Sequence, residues 1–593
     1  MIKKISAVLL AVGLIFSLSA CSFGSIWNKT PKGKVFKASI AQNIAGLNFA
    51  DNIDDEATVA ATYLTSFLWR KYPGEDGTSY IWIDDLADGD PVQIDEYNWQ
   101  IDLRSDAVWD DGTPVNADTW IFTFKTMLDP IFKQRMSTYL ADNVITISNA
   151  YEYSIQGSDE HPEAVDFADV GIKKTGDYQI QITTTKENTI EEIKEHFFTP
   201  CCTPLNETLW NECLADDGLS TTYGTSKDTY ISCGPYALAE WDSDEGLIFT
   251  KKDDHWLSGY FNYDAVEVYI ISDMETRVEK FRNGELDELV PDKTVIDDFI
   301  DDERLHSYGS TVVGSIDINC QNPDNPICAS LNYRKAVYHS INREEAASTI
   351  FGHMEPVGTY VNDLAGDASE SGLTYRESDY GKAVTEQVEK DGPYGYDPTL
   401  ALDYLEKAIE ECGVSSDDLP ITVKFAVNEE DEEWSAFAEY LATQWDDIFE
   451  GKMKIQIVPY SGITATDFKS GRDERWDLAT NELGREESRK YPYTCYYYFL
   501  AKYNSSPNNY HPAEFDTQYS ACETIKDGDY ETVLAATQKL EQIDLKYVVE
   551  CPVYQTRNYM LFSDRLQLPV TEYVDDFGWG EAYGDIELSD GEQ

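Results

Sequence analysis

At 593 residues, 42% of them apolar, the chain is long enough for two or three domains with full cores and too apolar to be disordered. Its 109 acidic side chains outnumber 46 basic ones, a net charge of −63. That balance argues against nucleic-acid binding, which needs clustered Lys and Arg, and against adsorption to anionic lipid headgroups.

The first twenty residues read as a signal peptide: Lys3 and Lys4 form a positive start, and 5–18 is an apolar run too short for a lasting membrane span. Leu18-Ser19-Ala20-Cys21 looks like the lipobox at which bacterial lipoproteins are cut. It implies a lipid anchor on Cys21, with 21–33 as a polar tether. Residues 34–40 alternate as an opening strand. Asp54 or Asp55 can cap a helix with Val59, Tyr63 and Phe67 along one side.

Within 98–130, Trp99, Ile101 and Leu103 alternate with polar residues as a half-buried strand. Asp110-Asp111-Gly112-Thr113-Pro114 is a turn cluster, and Asn116 can cap a helix whose stripe is Trp120, Phe124 and Met127/Leu128. Short strands are predicted at 144–147, 151–156 and 178–183. Cys233-Gly234-Pro235-Tyr236 opens a hairpin through Trp241 to 247–250. A strand at 266–271 precedes a helix over 275–282 that stops at Asn283-Gly284.

A long helix is predicted over 331–351. Asp397-Pro398 starts another, with cap and N1 proline, that ends at Cys412-Gly413. Strand 421–427, helix 432–449 with Trp434, Phe437, Leu441 and Trp445 on one face, and strand 453–458 make a βαβ unit, hence a parallel α/β layer. A helix over 530–545 and a strand over 551–562 close the pattern.

Several of these stretches resemble the family 5 extracellular solute-binding proteins, the oligopeptide- and dipeptide-binding receptors of ABC importers. Leu103-Arg104, Asp111-Gly112-Thr113-Pro114 and Ala117-Asp118 match the family's signature strand, DGTP turn and helix start. Residues 233–256 look like its "GTGPY.L..W" hairpin, with Ser232-Cys233 replacing Gly-Thr. Asn342-Arg343-Glu344 stands where the family's helix reads Asp-Arg-Glu.

The resemblance implies an α/β, two-lobed periplasmic-binding-protein-like fold with an extra subdomain. Lobe one would comprise 34–272, with the extra subdomain at about 55–170, plus 556–593; lobe two would be 273–555. Asn52, Ile53 and Asp54 fall where relatives lay chain beside the ligand, and Cys233 and Gly234 where their backbone borders the cleft, glycine allowing close approach. Relatives pair an Asp with the ligand's α-amino group in a segment matched here by 482–487. Glu482, Gly484, Arg485 and Glu486 are the candidates, with Glu486 or Glu487 as the substitute carboxylate. The implied function is a lipid-anchored, extracytoplasmic oligopeptide receptor, monomeric, delivering to ABC permease subunits and touching the membrane through its anchor alone.

Catalytic motifs are missing: the sequence has no HExxH, GxSxG, P-loop or GxGxxG, its seven His lack ligand spacing, and Asp242-Ser243-Asp244 lacks an EF-hand's ligand set. No enzyme activity, metal or cofactor is expected. With 39 Tyr and 13 Trp, an oligosaccharide receptor of the same fold is the alternative ligand class; a surface signalling or adhesion protein, or a secreted enzyme, is a more distant one. Besides Cys21, ten cysteines permit disulfides, Cys320 with Cys328 being the best local pair.

Overall fold

The computed structural model describes residues 26–588 except 50–54, 133–135, 159–160, 370–371, 463, 471–474, 503–508, 527 and 575–576. Among the described residues no helix is long and apolar enough to cross a membrane. The chain divides into two compact units. Unit 1 holds the residues up to Val290 and those from Leu561 on; unit 2 runs from Pro291 to Met560.

In unit 1, β1 (Val35–Ile40) precedes the helix Asp55–Leu64 and the hairpin β2 (Trp69–Pro73) and β3 (Tyr80–Asp84). The expected stripe residue Phe67 lies beyond that helix, and the capping position 54 lies outside the described residues. β4 (Val92–Gln93), β5 (Asn98–Asp102), β6 (Ile172–Gly176) and β7 (Gln179–Thr183) form an antiparallel sheet in the order β4-β5-β7-β6. Trp99 and Ile101 of β5 face a core that also receives Trp120, Phe124 and Met127 from the helix Ala117–Met127. That helix starts as its sequence dictates: Asn116 accepts from the backbone N–H of Asp118 and Thr119, and Thr119 closes a capping box.

The same core reaches to Cys233, beyond the subdomain limit of 170, because β5 pairs with β7 at Gln179–Thr183 as well as with β4. β8 (Tyr236–Asp242), β9 (Gly246–Lys251) and β10 (Ala265–Ile270) join β1 in the order β1-β10-β9-β8, β1 running parallel to β10. β11 (Glu288–Leu289) follows the helix Met274–Arg282.

The break between units falls later than the predicted 272/273 and 555/556. The Asp287 carboxylate holds it in unit 1, accepting from the Lys37 backbone N–H at 2.9 Å, Ser563 Oγ at 2.8 Å and Arg565 Nε at 2.6 Å. β11 then pairs with Leu561 and Phe562.

Unit 2 is built on β12 (Leu305–Ile318), β13 (Glu355–Pro356), β14 (Ile421–Asn428), β15 (Met453–Tyr460), β16 (Leu478–Leu483) and β17 (Cys551–Phe562). The order is β17-β12-β16-β14-β15, with β13 also on β17. β14 is parallel to both β15 and β16, so the predicted βαβ unit stands, its helix Glu432–Ile448 burying Trp434, Phe437, Leu441 and Trp445. The helix Pro398–Cys412 also forms as expected, capped by Asp397 and ended by Gly413 at φ 65°. In the final segment of unit 1, β18 (Leu566–Gln567) pairs with β19 (Asp585–Ile586).

Three local expectations fail. Residues 144–147 make only isolated bridges. The predicted strand at 151–156 is instead the helix Ala150–Ser154, where Ala150 and Tyr153, three apart, are the buried positions. The long helix over 331–351 breaks into Leu331–His339 and Arg343–Thr349, because Asn342 caps a new start and Arg343 turns inward to bond the Tyr338 and Pro552 carbonyls. All ten described cysteines are free thiols, so the Cys320–Cys328 bridge is not formed. Cys328 Sγ instead lies 3.7 Å from Asp477 Oδ1, and Cys320 Sγ 3.9 Å from Arg334 Nη1.

Candidate functional site

Because β15 and β16 both run parallel to β14, the carboxyl ends of all three strands emerge on one edge of unit 2. In open α/β sheets this is the edge where loops gather into ligand crevices. Four of the residues expected at the site lie here. Glu482, next to last in β16, pairs across the ladder with Gly314 of β12. Its Oε1 accepts from Trp434 Nε1 at 3.1 Å and from the Tyr554 hydroxyl. Tyr554 reaches it only because Gly314 has no side chain: a Cβ there would stand 2.5 Å from the tyrosine ring.

Gly484 is fixed the same way, a Cβ meeting Val312 and Thr311 at 2.8–2.9 Å. Beyond it, Arg485 Nε donates to Glu487 Oε2 at 2.9 Å and the guanidinium stacks 3.8 Å over the Tyr497 ring. The exposed Glu486 carboxylate accepts from Thr311 Oγ1 at 2.7 Å. Thus the acidic stretch is held in place by β12 from one side and by aromatic donors from the other.

The neighbouring loop adds acids that the motif reading passed over. After β14, Glu430, Asp431, Glu432 and Glu433 line an open cavity of about 490 Å³ together with Asn428 and Lys293. Asp431 is occupied as a helix cap, accepting from the Trp434 backbone N–H at 3.1 Å. Lys293 Nζ stands 3.5 and 3.6 Å from Glu432 and Glu433. Burial raises the Glu433 pKa, Lys293 pulls it down, and Asp431 and Glu482 push it up. The available signal was positional: the loop after the first strand of a βαβ unit.

The unit 1 candidates behave differently. Gly234 donates its N–H to the Leu64 carbonyl at 3.2 Å, and a Cβ there would stand 2.5 Å from backbone atoms of Leu64 and Thr65. Its close approach is to its own chain. The Cys233 carbonyl is taken by Ser66 Oγ at 3.3 Å and by His255 Nε2 at 3.0 Å. The buried Cys233 thiol is pushed up to about 12 by desolvation, so it is no nucleophile. Asn52, Ile53 and Asp54 lie outside the described residues, as does Cys21.

Among the described residues no group of three or more His, Cys, Asp or Glu is placed to hold a metal.

The sequence profile of the bacterial extracellular solute-binding proteins, family 5 Middle, matches residues 82–505. The dipeptide-binding protein DppE of Bacillus subtilis is 24% identical over 380 residues, 60% of this chain and 63% of that protein; this chain thus spans less than two thirds of that relative's length. The periplasmic oligopeptide-binding protein OppA of Escherichia coli is 24% identical over 32% of each chain. Among solved structures, OppA of Listeria monocytogenes bound to peptide superposes with a TM-score of 0.59 at 19% identity, covering 94% of this chain and 99% of that one. These likenesses carry the fold: a mixed α/β architecture shared with OppA-type binding proteins.

Proposed function

Since the chain belongs to the family 5 bacterial extracellular solute-binding proteins, a family of carriers rather than enzymes, we propose that it captures oligopeptides outside the cytoplasm and hands them to an ABC permease, held at the membrane by a lipid on Cys21. The observation that carries the reading is the exposed Glu486 carboxylate, fixed by Thr311 at the end of β16. A positioned carboxylate is what a peptide's α-ammonium needs as a partner. The residues proposed for ligand contact are Glu482, Gly484, Arg485 and Glu486, with 52–54 proposed from the sequence match; Cys233 and Gly234 are engaged by their own chain. Backbone hydrogen bonds to an extended peptide would give tolerance of side-chain identity. The protein would act as a monomer.

An oligosaccharide receptor draws less support, since Trp434 and Tyr554 are each only 2% exposed and spend their polar atoms on Glu482, and the half-buried Tyr497 ring is covered by the Arg485 guanidinium at 3.8 Å. Titration calorimetry of the full chain against mixed short peptides and oligosaccharides tests the choice. Micromolar peptide binding, about −8 kcal/mol, is expected; sugar binding without peptide binding would reject it. Mass spectrometry of the protein isolated from its native membrane, looking for a diacylated Cys21, tests the anchor.

A further inference from the structure

On the reverse face of β12 and β16 from Glu482, unit 2 buries four carboxyl groups: Asp317, Glu541, Asp544 and Glu550, each at most 3% exposed. Among the described residues two cations meet them. Lys469 Nζ bonds Asp317, which also accepts from Asn509 Nδ2 at 2.9 Å and Asn481 Nδ2 at 3.3 Å. Arg376 Nη1 bonds Glu541 Oε2 at 3.1 Å, joined by the Tyr375 hydroxyl at 2.8 Å. Arg343, another buried cation, turns its donors to the Tyr338, Tyr394 and Pro552 carbonyls.

Asp544 and Glu550 are left with neutral partners or with each other's acids. Asp544 accepts from Tyr496 Oη at 3.0 Å and from the Glu550 backbone N–H at 3.1 Å. Glu550 Oε1 accepts only from the Cys551 backbone N–H at 3.3 Å among the described residues, and the nearby Asp317 carboxylate pushes the Glu550 pKa up further. No donor reaches Glu550 Oε2 among the described residues. Four buried anions beside two cations would leave two unpaired charges in a dry interior, at a cost of several kcal/mol each.

We propose that this network holds two protons, one on Asp544 and one on Glu550, and that unit 2 is thereby a pH-sensitive element whose β12–β16 framework loosens when they leave. The link to the candidate edge is direct along the chain. Asn481 of the network immediately precedes Glu482, and Glu550 immediately precedes β17, which carries Tyr554.

The other titratable groups facing the pair do not supply a compensating charge. Tyr360, Tyr338, Cys495 and Cys551 are neutral acids raised further by burial. His511, facing Asp317, is kept neutral by desolvation. Burial pushes Asp544 up to about 7 and Glu550 well above the usual carboxylate range. An acid raised on folding stabilises at pH below its unfolded value, and that stability is lost as pH rises through the folded one. The window therefore opens in the ordinary carboxylate range, about pH 4, closes near pH 7 for Asp544 and runs higher for Glu550.

Unit 1 has its own half-buried acids, Glu288 and Glu581, pushed up to about 8 and about 7 by desolvation, so the test must be resolved along the chain. Hydrogen exchange of the whole ligand-free protein, read by mass spectrometry and corrected for intrinsic rates, meets that need. Protection over 541–551 and across β12 and β16 should fall about tenfold or more between about pH 6 and about pH 9. Glu550→Gln and Asp544→Asn should each flatten that fall. A flat wild-type profile over these segments overturns the proposal, as does an unchanged fall in folded variants. Should the variants fail to fold, the wild-type profile decides alone. None of this depends on what the protein binds.

Discussion

Two glycine-bearing stretches, 232–234 in unit 1 and 482–486 in unit 2, carry the same kind of sequence signal, yet they do opposite things. At Gly234 the space freed by the missing side chain is filled by the backbone of Leu64 and Thr65, and the Gly234 N–H and the Cys233 carbonyl are bonded within the same unit. Around Gly484 the freed space seats β12, and the result is to project carboxylates outward. A glycine motif therefore reports a close approach without saying what approaches. The answer depends on which element the fold stacks against it.

Substitutions can break or sharpen this contrast. The largest expected effect is Gly234→Ala, which drives a methyl into backbone and should cost about 3 kcal/mol in urea unfolding. A variant of native stability that lost ligand affinity would mean the glycine faces the ligand after all. Glu486→Gln comes next: peptide affinity should drop roughly 10–100-fold, about 1.5–3 kcal/mol for a charge-assisted bond. Its melting temperature should stay put, and unchanged calorimetric affinity would remove Glu486 from the site.

Tyr554→Phe, which deletes one of the two donors on Glu482 Oε1, should cost about 1 kcal/mol of unit 2 stability. A neutral result would show that Trp434 alone suffices. The smallest difference is kinetic. In a thiol-labelling time course on native protein, exposed Cys412 should react while buried Cys233 stays protected. Prompt labelling of Cys233 would show that the 232–234 stretch is open rather than sealed.

Much of the fold was legible because its signals are local. The Asn116 cap, the Asp397-Pro398 start, the Gly413 stop and the alternation of Trp99 and Ile101 each act over a few residues, and each appears as read. Short apolar runs were not: 151–156 alternates like a strand but buries Ala150 and Tyr153 on a helical turn. The break at Asn342 was hidden because Arg343 is drawn inward by carbonyls over two hundred residues away at Pro552. For the site, 482–486 was legible as a stretch. Its partners were not, since Thr311, Trp434 and Tyr554 come from three distant segments.

By itself, then, the order of residues determined the longer, strongly periodic elements, their caps and the family pattern, all consequences of backbone propensity and short-range periodicity. Tertiary structure alone decided which glycine packs on its own chain, where the chain passes between units, that the described cysteines are unpaired, and which buried acids lack a cation among the described residues. Those outcomes depend on desolvation and on contacts between segments remote in the chain, and neither quantity exists until the chain is packed.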